Sequence, residues 1–69
     1  MKRASVSSSS IASVGFDGVL ATLEVEFVSG AVYRYFAVPA AVHLQLMSAV
    51  SKGAFLNRFV RDVFPFARV

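Results

Sequence analysis

Tyr33, Arg34 and Tyr35 run consecutively in this chain, and Lys52, Arg58, Arg61 and Arg68 follow in its C-terminal half. Cations neutralise phosphates and aromatic rings offer faces on which bases stack, so such a mixture suits single-stranded RNA. Arg58 and Arg61 are three apart and would share one face of a helix. Lys52 falls near the start of that helix, where the backbone dipole also favours an anion. Lys2 and Arg3 add charge at the N-terminus, and seven Lys and Arg against four Asp and Glu leave a net +3. That excess is modest for nucleic-acid binding, in which each phosphate contact counts. A plainer alternative stands beside each feature. The tyrosines can cover the packed face of a sheet with their hydroxyls at its edge, and the arginines can solvate an otherwise apolar protein.

Catalysis has less to work with. Nucleophilic chemistry needs a hydroxyl beside an oriented base, and the single histidine, His43, falls within a helical pattern. Glu24 and Glu26 share a strand face within reach of one another, but on an open sheet face they serve as solvating charges. Nothing in the spacing brings them to His43 as a metal set. There is no cysteine for a disulfide or zinc ribbon. Gly15, Gly18, Gly30 and Gly53 are isolated turn or cap glycines rather than a phosphate loop. The reading is a non-enzyme without cofactor or metal.

The elements that must position these residues are short. Sixty-nine residues make one domain, which buries only about 60% of its unfolded surface. With 57% hydrophobic residues and a mean hydropathy of +0.66, some apolar surplus must stay exposed, and exposed patches mark interfaces. Self-association or a protein partner is therefore expected. Residues 1–9 read as a mobile, serine-rich tail, with the domain over 10–69. No apolar run suits a secretory signal or a membrane span, so the expected setting is cytoplasmic.

Ala12, Val14 and Phe16 alternate with Ser13 and Gly15 as in a half-buried strand. A two-residue turn at Asp17-Gly18 would set Phe16 opposite Val19, Val14 opposite Ala21 and Ala12 opposite Leu23; a longer turn would change that register. In the second hairpin a three-residue loop, Val28 to Gly30, pairs Val25 with Tyr33, Leu23 with Tyr35 and Glu24 with Arg34. A two-residue turn would put Arg34 on the apolar face instead. Leu23, Val25, Phe27, Tyr33 and Tyr35 then point inward or toward a partner, and Glu24, Glu26 and Arg34 toward water. Pro39 suits the first turn of a helix, which Val42, Leu46, Ala49 and Val50 continue. Ser51 can cap a second helix carrying Phe55, Leu56, Phe59, Val60 and Val63, with Asn57, Arg58, Arg61 and Asp62 elsewhere on it until Pro65. The expected fold class is α+β: a three-stranded antiparallel β-meander followed by two short C-terminal α-helices.

Ser10-Ile11, Val14-Gly15-Phe16-Asp17, Leu23 to Phe27, Ser29-Gly30, Val32 to Pro39 with its Tyr-Arg-Tyr triplet, and Ser51-Lys52-Gly53 with Phe55 and Asn57 occur in that order. The chain thereby resembles the KTSC domain, named after a C-terminal extension of some lysyl-tRNA synthetases, over roughly residues 7–68. The resemblance implies a small domain, fused or free-standing, for which RNA binding is a conjecture. It adds Asn57 to the candidate set and carries Tyr33, Tyr35, Ser51, Lys52 and Gly53 equally well as structural positions. Phe16 stands here in place of the usual tyrosine, and His43 in place of a common aromatic.

The resulting expectation is a non-catalytic binding module. RNA, as tRNA or a single strand, is the first ligand class, held through Tyr33, Arg34, Tyr35, Lys52, Asn57, Arg58, Arg61 and Arg68. The competing class is a protein-interaction module docking through apolar surface on a translation, transcription or phage-related complex. A homo-oligomeric structural domain is the third.

Overall fold

The computed structural model describes residues 1–69. Its sheet has five antiparallel strands in the order β1-β2-β3-β4-β5. They are β1 (Arg3–Ser5), β2 (Ile11–Asp17), β3 (Thr22–Phe27), β4 (Val32–Tyr35) and β5 (Phe66–Arg68), with helices α1 (Ala40–Ser48) and α2 (Lys52–Phe59) between β4 and β5. The α+β class is as expected, but the sheet has five strands rather than three. Both additions are three-residue edge strands built from exposed residues, so no buried alternation marks them in the sequence.

The second hairpin has the expected register: Leu23 opposite Tyr35, Glu24 opposite Arg34 and Val25 opposite Tyr33. The Phe27 amide donates to the Ala31 carbonyl at 2.9 Å around the loop, and Gly30 takes φ +96°. The first hairpin departs from the two-residue turn. Phe16 pairs with Leu23 and Val14 with Val25. Asp17 explains the longer loop, because its Oδ1 accepts from the amides of Val19 and Leu20 at 2.9 and 3.1 Å, and Ala21 takes the left-handed turn at φ +50°. A β-bulge between Ile11 and Ser13 then lets Ile11 and Val14 both face the core.

Arg3–Ser5, within the stretch expected to be a mobile tail, pair with Ser13–Gly15. Gly15 is no turn glycine: a Cβ there would lie 2.8 Å from the Lys2 carbonyl oxygen. Its missing side chain lets the N-terminal segment cross at close range. The serine run becomes the β1–β2 loop.

One face of the sheet packs on the helices. Ile11, Val14, Leu23, Val25, Tyr35, Val38, Leu46, Leu56 and Val60 form the buried core, with Phe16, Phe27, Tyr33, Val42 and Phe55 against it. The expected surplus of apolar surface is present, since Leu44, Val50, Phe59, Val63, Phe66 and Val69 all remain exposed. Pro39 occupies the N-cap of α1 rather than its first turn. α2 ends at Phe59, and the amides of Val60 and Arg61 both bond the Leu56 carbonyl at 3.0 and 2.9 Å. Arg61 and Asp62 therefore lie in the turn that follows, and Arg58 and Arg61 do not share a helix face.

Candidate functional site

The serine loop is ordered from within. Ser8 Oγ accepts from the amides of Ser10 and Ile11 at 3.3 and 3.2 Å, and the Ser10 carbonyl accepts from Val28 at 2.9 Å. Ser10 packs on α2 because Gly53 has no side chain: a Cβ there would be 2.5 Å from Ser10 Oγ. Ser51 caps α2, its Oγ accepting from the Ala54 amide at 3.3 Å. The Ser-Lys-Gly triplet thus joins a cap to a contact point, leaving a groove between the serine loop and α2.

Two hollows make up that groove, each about 410 Å³, and both are lined by Ser9, Ser10 and Asn57. The first continues past the β3–β4 loop to Tyr33, Tyr35 and Arg61. The second runs along Ser7 and Ser8 to Ser51 and Lys52. Neither lining contains a carboxylate.

Of the eight candidate residues, the groove assembles Tyr33, Tyr35, Asn57 and Arg61 in one hollow and Lys52 with Asn57 in the other. Tyr35 is only 2% exposed, which makes it a core side chain rather than a stacking platform. Burial raises its hydroxyl pKa above the ordinary value; the nearby Arg61 charge lowers it, while Tyr33 and Asp62 add to the rise. Tyr33 is half-buried, edge-on to Phe27 and Phe66 at 5.7 Å each, with the Arg68 guanidinium 6.0 Å from its ring centre. Lys52 Nζ donates to the Ala49 carbonyl at 3.2 Å, ending α1. Arg58 lies outside both linings, over the Phe59 ring at 5.3 Å.

Arg34 stands on the opposite face of the sheet. There its Nε donates to Glu24 Oε1 at 2.8 Å, while Arg3 approaches Glu24 Oε2 at 3.5 Å. Glu24 does not face water as expected; it is 5% exposed, roofed by the N-terminal strand. Glu26 accepts from Ser13 Oγ at 2.8 Å. Both carboxylates are thus held in side-chain bonds on the sheet face away from the helices. His43 lies on the helical side, stacked on Phe16 with ring centres 4.8 Å apart, and burial lowers its pKa. The serine loop was the element sequence reasoning missed; the signal for it was Gly53, whose partner only the fold reveals.

A five-stranded antiparallel sheet with two helices on one face defines a small α+β domain. The chain belongs to the KTSC domain family, whose model matches residues 7–64. A KTSC domain protein from Yersinia pestis, known from its crystal structure, superposes with a TM-score of 0.96 at 38% identity, over 99% of this chain and 96% of that one. A protein of Stutzerimonas stutzeri is 50% identical over 58 residues, 84% of this chain and 82% of its own length. The lysine–tRNA ligase of Nostoc punctiforme is 46% identical over 48 residues, 70% of this chain but 9% of the ligase. No helix of the chain is long and apolar enough to cross a membrane.

Proposed function

We propose that this domain is a non-catalytic module that binds single-stranded RNA, or a single-stranded part of tRNA, in the groove between the serine loop and α2. The observation that carries this reading is the lining itself: hydroxyls, the Asn57 amide, Lys52 and Arg61, without a carboxylate. Both ion pairs of the chain end on Glu24, so Arg61 in the lining has no carboxylate partner. A basic groove with an aromatic wall is the physical form of sequence-tolerant single-strand binding. Kinship with a segment of lysine–tRNA ligases agrees with an RNA partner and a cytoplasmic setting.

Fluorescence anisotropy of labelled tRNA and of a short single-stranded RNA tests this over about 50–200 mM salt, where phosphate contacts weaken steeply. The expected result is saturable binding with a steep salt slope, lost in Arg61→Glu and reduced in Arg68→Glu. Absence of binding at the lowest salt sinks the reading.

A second reading is self-association through the C-terminal edge, favoured by Val63, Phe66 and Val69, which are exposed in β5 and its flanking residues. Sedimentation velocity across a concentration series separates it from RNA binding. A dimer lost in Phe66→Ser and insensitive to salt would support it; a monomer at all concentrations would end it.

A further inference from the structure

The first hollow has two unlike ends. At one, the Tyr35 side chain is almost wholly buried yet contributes to the lining beside Asn57 and Arg61. Its hydroxyl has no partner within the chain, and no side-chain polar atom is both sealed from solvent and unbonded, so the hydroxyl opens into the hollow. A phenol is protonated at neutral pH, so this hydroxyl can donate. At the other end Phe27, Val28 and Tyr33 form an apolar wall. A volume of about 410 Å³ falls within the range of about 300–1,000 Å³ usual for small-ligand sites.

We infer that this hollow is a subsite for one nucleotide, its phosphate held by the Arg61 guanidinium, the Asn57 amide and the Tyr35 hydroxyl, and its base laid on the wall of Phe27, Val28 and Tyr33. The inference rests on the groove being the RNA site but adds a place where a single unit of the strand is gripped. A guanidinium suits phosphate through its fork of donors, and a hydroxyl and an amide supply the remaining hydrogen bonds. A strand can then leave along Ser9 and Ser10 into the second hollow.

Amide-resolved NMR titration of the full chain with adenosine 5′-monophosphate, adenosine and inorganic phosphate tests the subsite. The expected result is that the monophosphate shifts the amides of Ser9, Ser10, Val28, Asn57 and Arg61, and binds at least about tenfold more tightly than either part alone. Tyr35→Phe keeps the buried ring and removes one hydrogen bond to a charged group, which should weaken the monophosphate roughly tenfold or more. Arg61→Gln should do the same, with thermal melts showing both variants folded. A monophosphate that binds no better than adenosine or than phosphate overturns the assignment, as does indifference to both substitutions. RNA binding without monophosphate binding would overturn the subsite and leave the RNA reading intact. Monophosphate binding without RNA binding would support the subsite and end the RNA reading.

Discussion

Ser10 and Gly53 are in contact across the groove, with Ser10 Oγ 2.5 Å from the point a Cβ on Gly53 would occupy. This contact fixes where the β1–β2 loop meets α2, and with it the width of the proposed RNA site.

Replacing Gly53 with alanine should push the serine loop away, although alanine gains up to about 1 kcal/mol of helix propensity over glycine. The two effects separate in a double-mutant cycle. Gly53→Ala should be less favourable in the wild-type chain than in Ser10→Ala by about 0.5–1 kcal/mol, read by urea denaturation. Equal effects in both backgrounds would mean that the contact carries no energy.

Glu24 is nearly buried between Arg3 and Arg34, so its arginines do more than decorate a surface. Removing Arg34 leaves a desolvated carboxylate with one distant partner, at a cost of about 1–3 kcal/mol. Arg34→Ala should therefore lower the midpoint of urea denaturation, and Glu24→Gln combined with Arg34→Ala should recover part of the loss. An Arg34→Ala variant as stable as the parent would contradict this account.

Burial raises the Tyr35 pKa above 10.0, so the folded state holds the phenolic proton more tightly than the unfolded chain does. The resulting stability is fully present below pH 10 and lost as pH rises through the folded value. Denaturation midpoints measured upward from pH 9 should fall, and Tyr35→Phe should remove that share of the decline.

His43 behaves in the opposite sense. Its pKa is lowered from 6.5 by burial, so the folded state favours the neutral ring. Stability is present above 6.5 and declines as pH falls through that value toward the folded pKa. His43→Phe, which retains a ring over Phe16, should flatten the profile between about pH 7 and 5. Thermal melts in that window provide the check.

The legible parts of the fold were those in which one choice satisfied several residues at once. Only the three-residue loop kept Arg34 out of the apolar face, so the second hairpin could be registered from sequence. The first could not, because Ala21 accepts a left-handed turn without a glycine to announce it, and Asp17 organises a loop whose length alternation does not encode. The edge strands bury little, and β5 pairs with β4 only across residues 36–65. Gly15 and Gly53 read as turn or cap residues, whereas each marks a close approach by the N-terminal segment. At the site, Tyr33, Tyr35, Asn57 and Arg61, all candidates from the sequence, converge on one hollow. Arg58 shares a face with Arg61 only if α2 continues past Phe59, where it ends, and Arg34 belongs to the Glu24 cluster on the other face.

The order of strands across the sheet has a kinetic consequence. β1 to β4 each pair with their neighbour in the chain through short loops, and such local closures form in microseconds. β5 reaches β4 only by closing the loop of residues 36–65 that carries both helices, a larger entropic cost than closing a hairpin. Its strand then docks late, and Phe66, which packs against the rings of Tyr33 and Tyr35, acts mainly after the folding barrier. Truncating Phe66 to alanine should accelerate unfolding and leave the refolding rate nearly unchanged, making the C-terminal strand the latch that sets the lifetime of the folded domain.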